Sequence, residues 1–132
     1  MRKWALFASL NGFLAVLGGA FATHGLKDKV SSYELGLFEM AAQYQMYHAL
    51  ALFAVAWLCT QSVQNPRVKM LAELGGWILL AGIVLFSGSL YLLGAFDWRV
   101  AVLVTPIGGT ALLVGWLALL GSAWQLLPDK TI

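Results

Sequence analysis

The fold class this sequence predicts is an all-α membrane protein, with four transmembrane helices in an up-down-up-down antiparallel bundle. Three observations carry that expectation. Of 132 residues, 61% are hydrophobic and 11% are charged, against roughly 25% charged in an average soluble domain. So few charges cannot coat a soluble globule, and a bilayer is the natural solvent. The apolar residues fall into four stretches, each long enough to cross about 30 Å of hydrocarbon at about 1.5 Å rise per residue. The breaks between the stretches are short and polar, so consecutive helices must run antiparallel. The whole chain, 1–132, reads as one integral membrane domain.

The first span is Trp4–Thr23. Arg2-Lys3, the apolar run and Ala20-Phe21-Ala22 imitate a cleavable leader, but the run is of span length and is expected to be retained. His24–Tyr33 is a turn followed by a helix start, where Ser31 and Glu34 fit the S-x-x-E capping box. That start opens an amphipathic helical lead-in to the second span, Met40–Thr60, with Leu35 and Phe38 expected along the headgroup boundary and Gly36 a place to bend. Asn65-Pro66, with Arg67 and Lys69, forms a polar turn. The third span is Ala72–Gly94. Ala95–Arg99 allows only a tight antiparallel connection to the fourth span, Val100–Trp124, which Pro128 closes. Pro106 lies inside that span and frees the carbonyl of Val102; a kink is expected, with Thr105 or Gly109 re-satisfying the backbone.

Small residues recur every seven positions in each span: Ala5-Gly12-Gly19, Ala42-Ala49-Ala56, Gly75-Gly82-Ser89 and Ala101-Gly108-Gly115-Ser122. A seven-residue repeat keeps one seam facing a neighbour, and small side chains let backbones approach. These seams serve packing within the chain or, alternatively, a homo-oligomer or a larger membrane complex.

Charge decides less. The net charge is +2, and Lys and Arg are scattered at span ends. No contiguous basic stripe exists, which excludes a nucleic-acid partner and leaves membrane lipids as the expected surroundings. With the N terminus inside, Arg2, Lys3, Arg67, Lys69 and Lys130 are cytoplasmic and Lys27, Lys29 and Arg99 are not, so the Lys/Arg bias favours cytoplasmic N and C termini. Trp4, Trp57, Trp77, Trp98 and Trp124 fall near span ends, as an aromatic belt would place them. Cys59 is the single cysteine, so no intrachain disulfide can form.

The stretch Gln43–His48 puts hydrogen-bonding side chains where the second span enters the membrane. Tyr44, Gln45 and His48 share one helix face, and polar groups inside a membrane usually face protein or trapped water. With them in view, the chain resembles the YgdD-like small membrane proteins. The strings Gly19–Leu26, Tyr44–Leu52, Leu85–Tyr91 and Thr105–Gly109, with Gly115-Trp116, carry the resemblance. It implies a four-span protein of the bacterial inner membrane from a family of unknown function that has a small mitochondrial relative. It implies no reaction.

On the four-span arrangement His48, Ser87 and Thr105 lie roughly 9–12 Å below the first-loop end of their spans, at about 1.5 Å per residue. His24 caps the first span at that end, and Tyr44, Gln45, Ser89 and Tyr91 fill the layer above. Asn11 is the main polar exception in the other, apolar half. The expectation is a polar pocket opening to the outer side and lined by these eight residues, for a lipid-like or small amphiphilic ligand. The bland reading stands beside it: His48 hydrogen-bonds Ser87 or Thr105 across helices, and Ser87, Ser89 and Thr105 bond their own i−4 carbonyls.

Three function classes follow: a binding or accessory protein, proton or small-solute transport by a homo-oligomer, and a membrane enzyme using histidine as general base. No catalytic residue can be named. Glu39 lies about 180° around the helix from His48 at 3.6 residues per turn, and there is no nucleophile elbow. Haem ligation would need the helix ends to bring His24 and His48 together. With no C-x-x-C-H or H-E-x-x-H pattern, neither metal nor cofactor is expected.

Overall fold

The computed structural model describes residues 1–61 and 65–127; Pro128 and Lys130 lie outside the described residues. Four α-helices follow one another: α1 Arg2–Phe21, α2 Ser32–Thr60, α3 Pro66–Phe96 and α4 Ala101–Trp124. Among the described residues there is no strand. The starts of α2 and α3 are written locally. The Ser31 hydroxyl accepts from the Glu34 amide while the Glu34 carboxylate accepts from the Ser31 amide, closing the predicted capping box. Asn65 caps α3 through the Arg67 amide at 3.0 Å, with Pro66 as the first helical residue, where a missing N–H costs nothing. Asp97 ends α3 in the left-handed region at φ 49°.

Between α1 and α2 the chain does not simply turn. Ala22–Leu26 winds as one π-helical turn, and the Lys27 amide reaches the Ala22 carbonyl at 3.1 Å. Ala22 and Leu26 then cover Phe38, with Leu35 and Tyr91 beside them. Phe38 is therefore buried in protein and does not lie along the headgroup boundary. α2 runs unbroken through Gly36.

Neighbours in sequence are neighbours in space, and each helix reverses the one before. α1 packs on α2, α2 on α3 and α3 on α4, while α1 and α4 share no comparable interface. Side chains join α1 to α3 in parallel: Trp4 and Trp77 meet edge to face at 5.1 Å, and Lys3 pairs with Glu73 at 3.1 Å. The central pair, α2 and α3, carries most of the core, including Leu52, Val55, Leu79 and Ile83. Apolar side chains such as Leu6, Phe13, Leu103 and Leu113 point outward, an arrangement that suits lipid and not water.

Three helices are long and apolar enough to cross a membrane: α1 with its π turn, α3 and α4. The second predicted span falls short of that hydropathy, although α2 has 29 residues. Gln43, Tyr44, Gln45, Tyr47 and His48 dilute its first half.

The seams behave unequally. Gly75, Gly82 and Ser89 on α3, and Gly108 and Gly115 on α4, all lie in the α3–α4 interface. A Cβ at Gly108 would collide with the Phe86 backbone nitrogen, and one at Gly75 would stand 3.2 Å from the Gly115 carbonyl oxygen. Ser122 closes the same interface by donating to the Val68 carbonyl at 2.7 Å. Ala42, Ala49 and Ala56 are also buried. The first seam is different: Gly12 and Gly19 meet open space, and α1 buries Trp4, Ala8, Asn11 and Ala15 instead. Trp4 is fully buried, so it is a core residue and not part of an aromatic belt; Trp57, Trp77, Trp98 and Trp124 are exposed.

Candidate functional site

Tyr44, Gln45 and His48 lie within about 100° of arc on α2, but the helix is wedged among three others, so that arc serves two interfaces. Gln45 turns toward α1 and α3. Its amide nitrogen donates to Asn11 Oδ1 at 3.1 Å, and its amide oxygen accepts from the Tyr91 hydroxyl at 2.7 Å. Asn11 in turn donates to the Phe7 carbonyl at 2.9 Å. The result is one chain of hydrogen bonds crossing from α1 through α2 to α3. Tyr91 is held on its other side by Phe38, ring centres 4.7 Å apart. It reaches Gln45 because Gly18 is bare: a Cβ there would stand 2.7 Å from the Tyr91 hydroxyl.

Beside this chain lies an open groove of about 600 Å³, lined by Leu14, Leu17, Gly18, Phe21, Phe38, Gln45 and Tyr91. Its walls are apolar and its polar spot is the Gln45–Tyr91 pair. Among the described residues no charged one lines it. Small-molecule pockets commonly have this composition: mostly apolar wall, with a few placed polar groups.

At the other edge of that arc, Tyr44 and His48 face α3 and α4. His48 is buried, with its ring against Tyr44 at 6.1 Å and Trp116 at 6.2 Å, and Tyr44 also meets Phe86 at 5.0 Å. His48 Nδ1 lies 2.6 Å from the Tyr44 carbonyl. A carbonyl only accepts, so in the neutral ring the proton is on Nδ1 and Nε2 is left as acceptor. The cross-helix bond from His48 to Ser87 or Thr105 does not form; His48 bonds its own helix.

Ser89 and Thr105 clasp α3 to α4 at 2.7 Å, with Thr105 also 3.0 Å from the Ala101 carbonyl and Ser89 2.9 Å from the Phe86 carbonyl. Two hydroxyl protons serve these three contacts. Thr105 thus supports Ala101 and not the Val102 carbonyl freed by Pro106. Ser87 is buried, and its hydroxyl has no partner among the described residues; it sits one turn before Tyr91 on the same face of α3. His24 lies exposed on the π turn. Phe38 packs beneath that turn and His48 follows about ten residues later, roughly 15 Å along α2, so the two histidines are not brought together. Among the described residues no group of three His, Cys, Asp or Glu could hold a metal ion.

Of the eight residues predicted from sequence, Gln45 and Tyr91 line the groove. His24, Tyr44, His48, Ser87, Ser89 and Thr105 do not, and α4 contributes no wall. Sequence reasoning missed Asn11, Gly18 and the apolar walls. Asn11 did carry a signal, as a lone amide in an apolar span.

Fold and surface together define an all-α membrane protein. The chain belongs to the family described as "Protein of unknown function (DUF423)", which it matches over residues 18–109. It is 42% identical to a UPF0382 membrane protein of Staphylococcus saprophyticus, covering 96% of this chain and 100% of that one. It is 38% identical to the UPF0382 membrane protein YwdK of Bacillus subtilis, over 96% and 100%, and 39% identical to a UPF0382 membrane protein of Haemophilus influenzae, over 89% and 90%. No solved structure matches the chain.

Proposed function

We propose that this is a binding or accessory protein of the bacterial plasma membrane, acting as one four-span domain, that holds the chain of a lipid-like amphiphile in the α1–α2–α3 groove. The observation that carries the reading is the hydrocarbon-walled groove ending on the Gln45–Tyr91 pair, which has no charged lining. Four spans are supported by α2, which packs antiparallel between two helices that are themselves long and apolar enough to cross; its Gln45 and His48 side chains are turned into protein. Bacterial relatives named as membrane proteins support the location. Arg2, Lys3, Arg67 and Lys69 gather at one end of the bundle and Lys27, Lys29 and Arg99 at the other, which favours a cytoplasmic N terminus.

Histidine-based catalysis has less support. His48 presents Nε2 among aromatic rings, and no carboxylate pairs with a histidine among the described residues. Native mass spectrometry of gently extracted protein tests the binding reading, with Leu14→Trp as the comparison because it puts a larger ring in the groove wall and replaces no residue of the polar chain. A discrete lipid adduct on the wild type that Leu14→Trp loses is the expected result. Bare protein in both would overturn the reading.

A further inference from the structure

The hydrogen bonds beside the groove have a direction, and that direction determines what the groove can recognise. The Phe7 carbonyl can only accept, so the Asn11 amide must turn its NH₂ toward it. Asn11 then presents its oxygen to Gln45, and Gln45 must answer with nitrogen. The Gln45 oxygen is thereby turned to Tyr91, whose single hydroxyl proton is committed to it. The backbone of α1 thus fixes both amide orientations, which coordinates alone seldom settle. Tyr91 is left offering lone pairs and no proton. Its oxygen sits against Gly18, which carries no side chain, and both residues line the groove. Gln45, on the same wall, keeps one amide N–H beyond that given to Asn11.

We infer that the groove selects an uncharged lipid bearing a hydroxyl group, which donates to Tyr91 and accepts from Gln45; this rests on the groove being a lipid site. A hydroxyl serves both partners at once. An ether or ester oxygen cannot donate, so it leaves the Tyr91 lone pairs unmatched. A carboxylate or phosphate brings negative charge against those lone pairs, with no cation on the lining to offset its desolvation. The class is therefore long-chain or isoprenoid alcohols and diacylglycerols, and not intact anionic phospholipids held by their headgroups.

The test is native mass spectrometry of the full chain in detergent, titrated separately with hexadecanol, hexadecyl methyl ether and hexadecanoate near neutral pH. Hexadecanol is expected to bind about fivefold more tightly than the ether, the value of one added hydrogen bond, and hexadecanoate more weakly than either. Equal binding of alcohol and ether to the wild type, both lost in Leu14→Trp, would overturn the selectivity and leave the groove reading standing. Binding of neither probe, or binding unaffected by Leu14→Trp, would overturn both.

Discussion

Gly108→Ala is the substitution whose consequence the fold states most sharply. The added methyl would run into the Phe86 backbone nitrogen, and backbone cannot step aside as a side-chain tip can. The α3–α4 pair must separate locally, which loosens the Ser89–Thr105 clasp at 2.7 Å and the Ser122–Val68 bond at 2.7 Å. Overpacking of this kind costs about 1–3 kcal/mol. Replacing glycine by alanine in a helix returns up to about 1 kcal/mol, so a net loss of about 1–2 kcal/mol is expected. Gly12→Ala makes the same chemical change where nothing lies within 4 Å, and it should be neutral or stabilising. Unfolding in mixed micelles titrated with a denaturing detergent measures both. Equal shifts for the two variants, or a stabilised Gly108→Ala, would refute the close approach of α3 and α4.

Three further outcomes are expected. Gln45→Leu removes two cross-helix bonds, at about 0.6 kcal/mol each in a membrane, and should lower unfolding stability by about 1 kcal/mol, whereas Tyr44→Phe, which keeps the ring contacts, should change it little. His48→Ala should leave any groove-bound lipid in native mass spectra unchanged, because His48 does not line the groove and packs against Trp116 of α4 instead. Glu34 is held below its ordinary carboxylate range by the Ser31 backbone and hydroxyl. Its contribution to α2 is therefore complete above the unfolded carboxylate pKa and is lost as pH falls through the lowered folded value; acid melts of the wild type and Glu34→Gln should converge below that point.

Much of the fold was legible because caps are local chemistry. Ser31-x-x-Glu34 announced a helix start, Asn65-Pro66 marked the turn that precedes α3, and the polar breaks separated the spans. The α3 and α4 seams were readable because both helices put glycine at matching heptad positions. The α1 seam was not: lipid is as apolar as the protein interior, so nothing in Ala5-Gly12-Gly19 distinguishes an outward stripe from an inward one. Trp4 and Asn11 mark the buried face instead. The site was half legible for a related reason. Spacing put Tyr44, Gln45 and His48 on one arc of α2, but how that arc divides among three packed neighbours is decided by tertiary structure. Gln45 found Asn11 and Tyr91, residues 34 and 46 positions away, and the spacing of residues along one helix cannot reveal such pairings. His24 looked close to His48 because both were referred to one membrane end, and the π turn places it beyond the bundle's polar layer.

On the proposed binding, the groove, and not the lipid-facing surface in general, selects its occupant. Photocrosslinking in intact cells tests it most directly, with p-benzoylphenylalanine placed at Leu14 in the groove wall or at Phe13, which points to lipid. Leu14 is expected to capture one neutral, hydroxyl-bearing lipid class in excess while Phe13 captures the bulk membrane mixture. Identical lipid profiles at the two positions would contradict it.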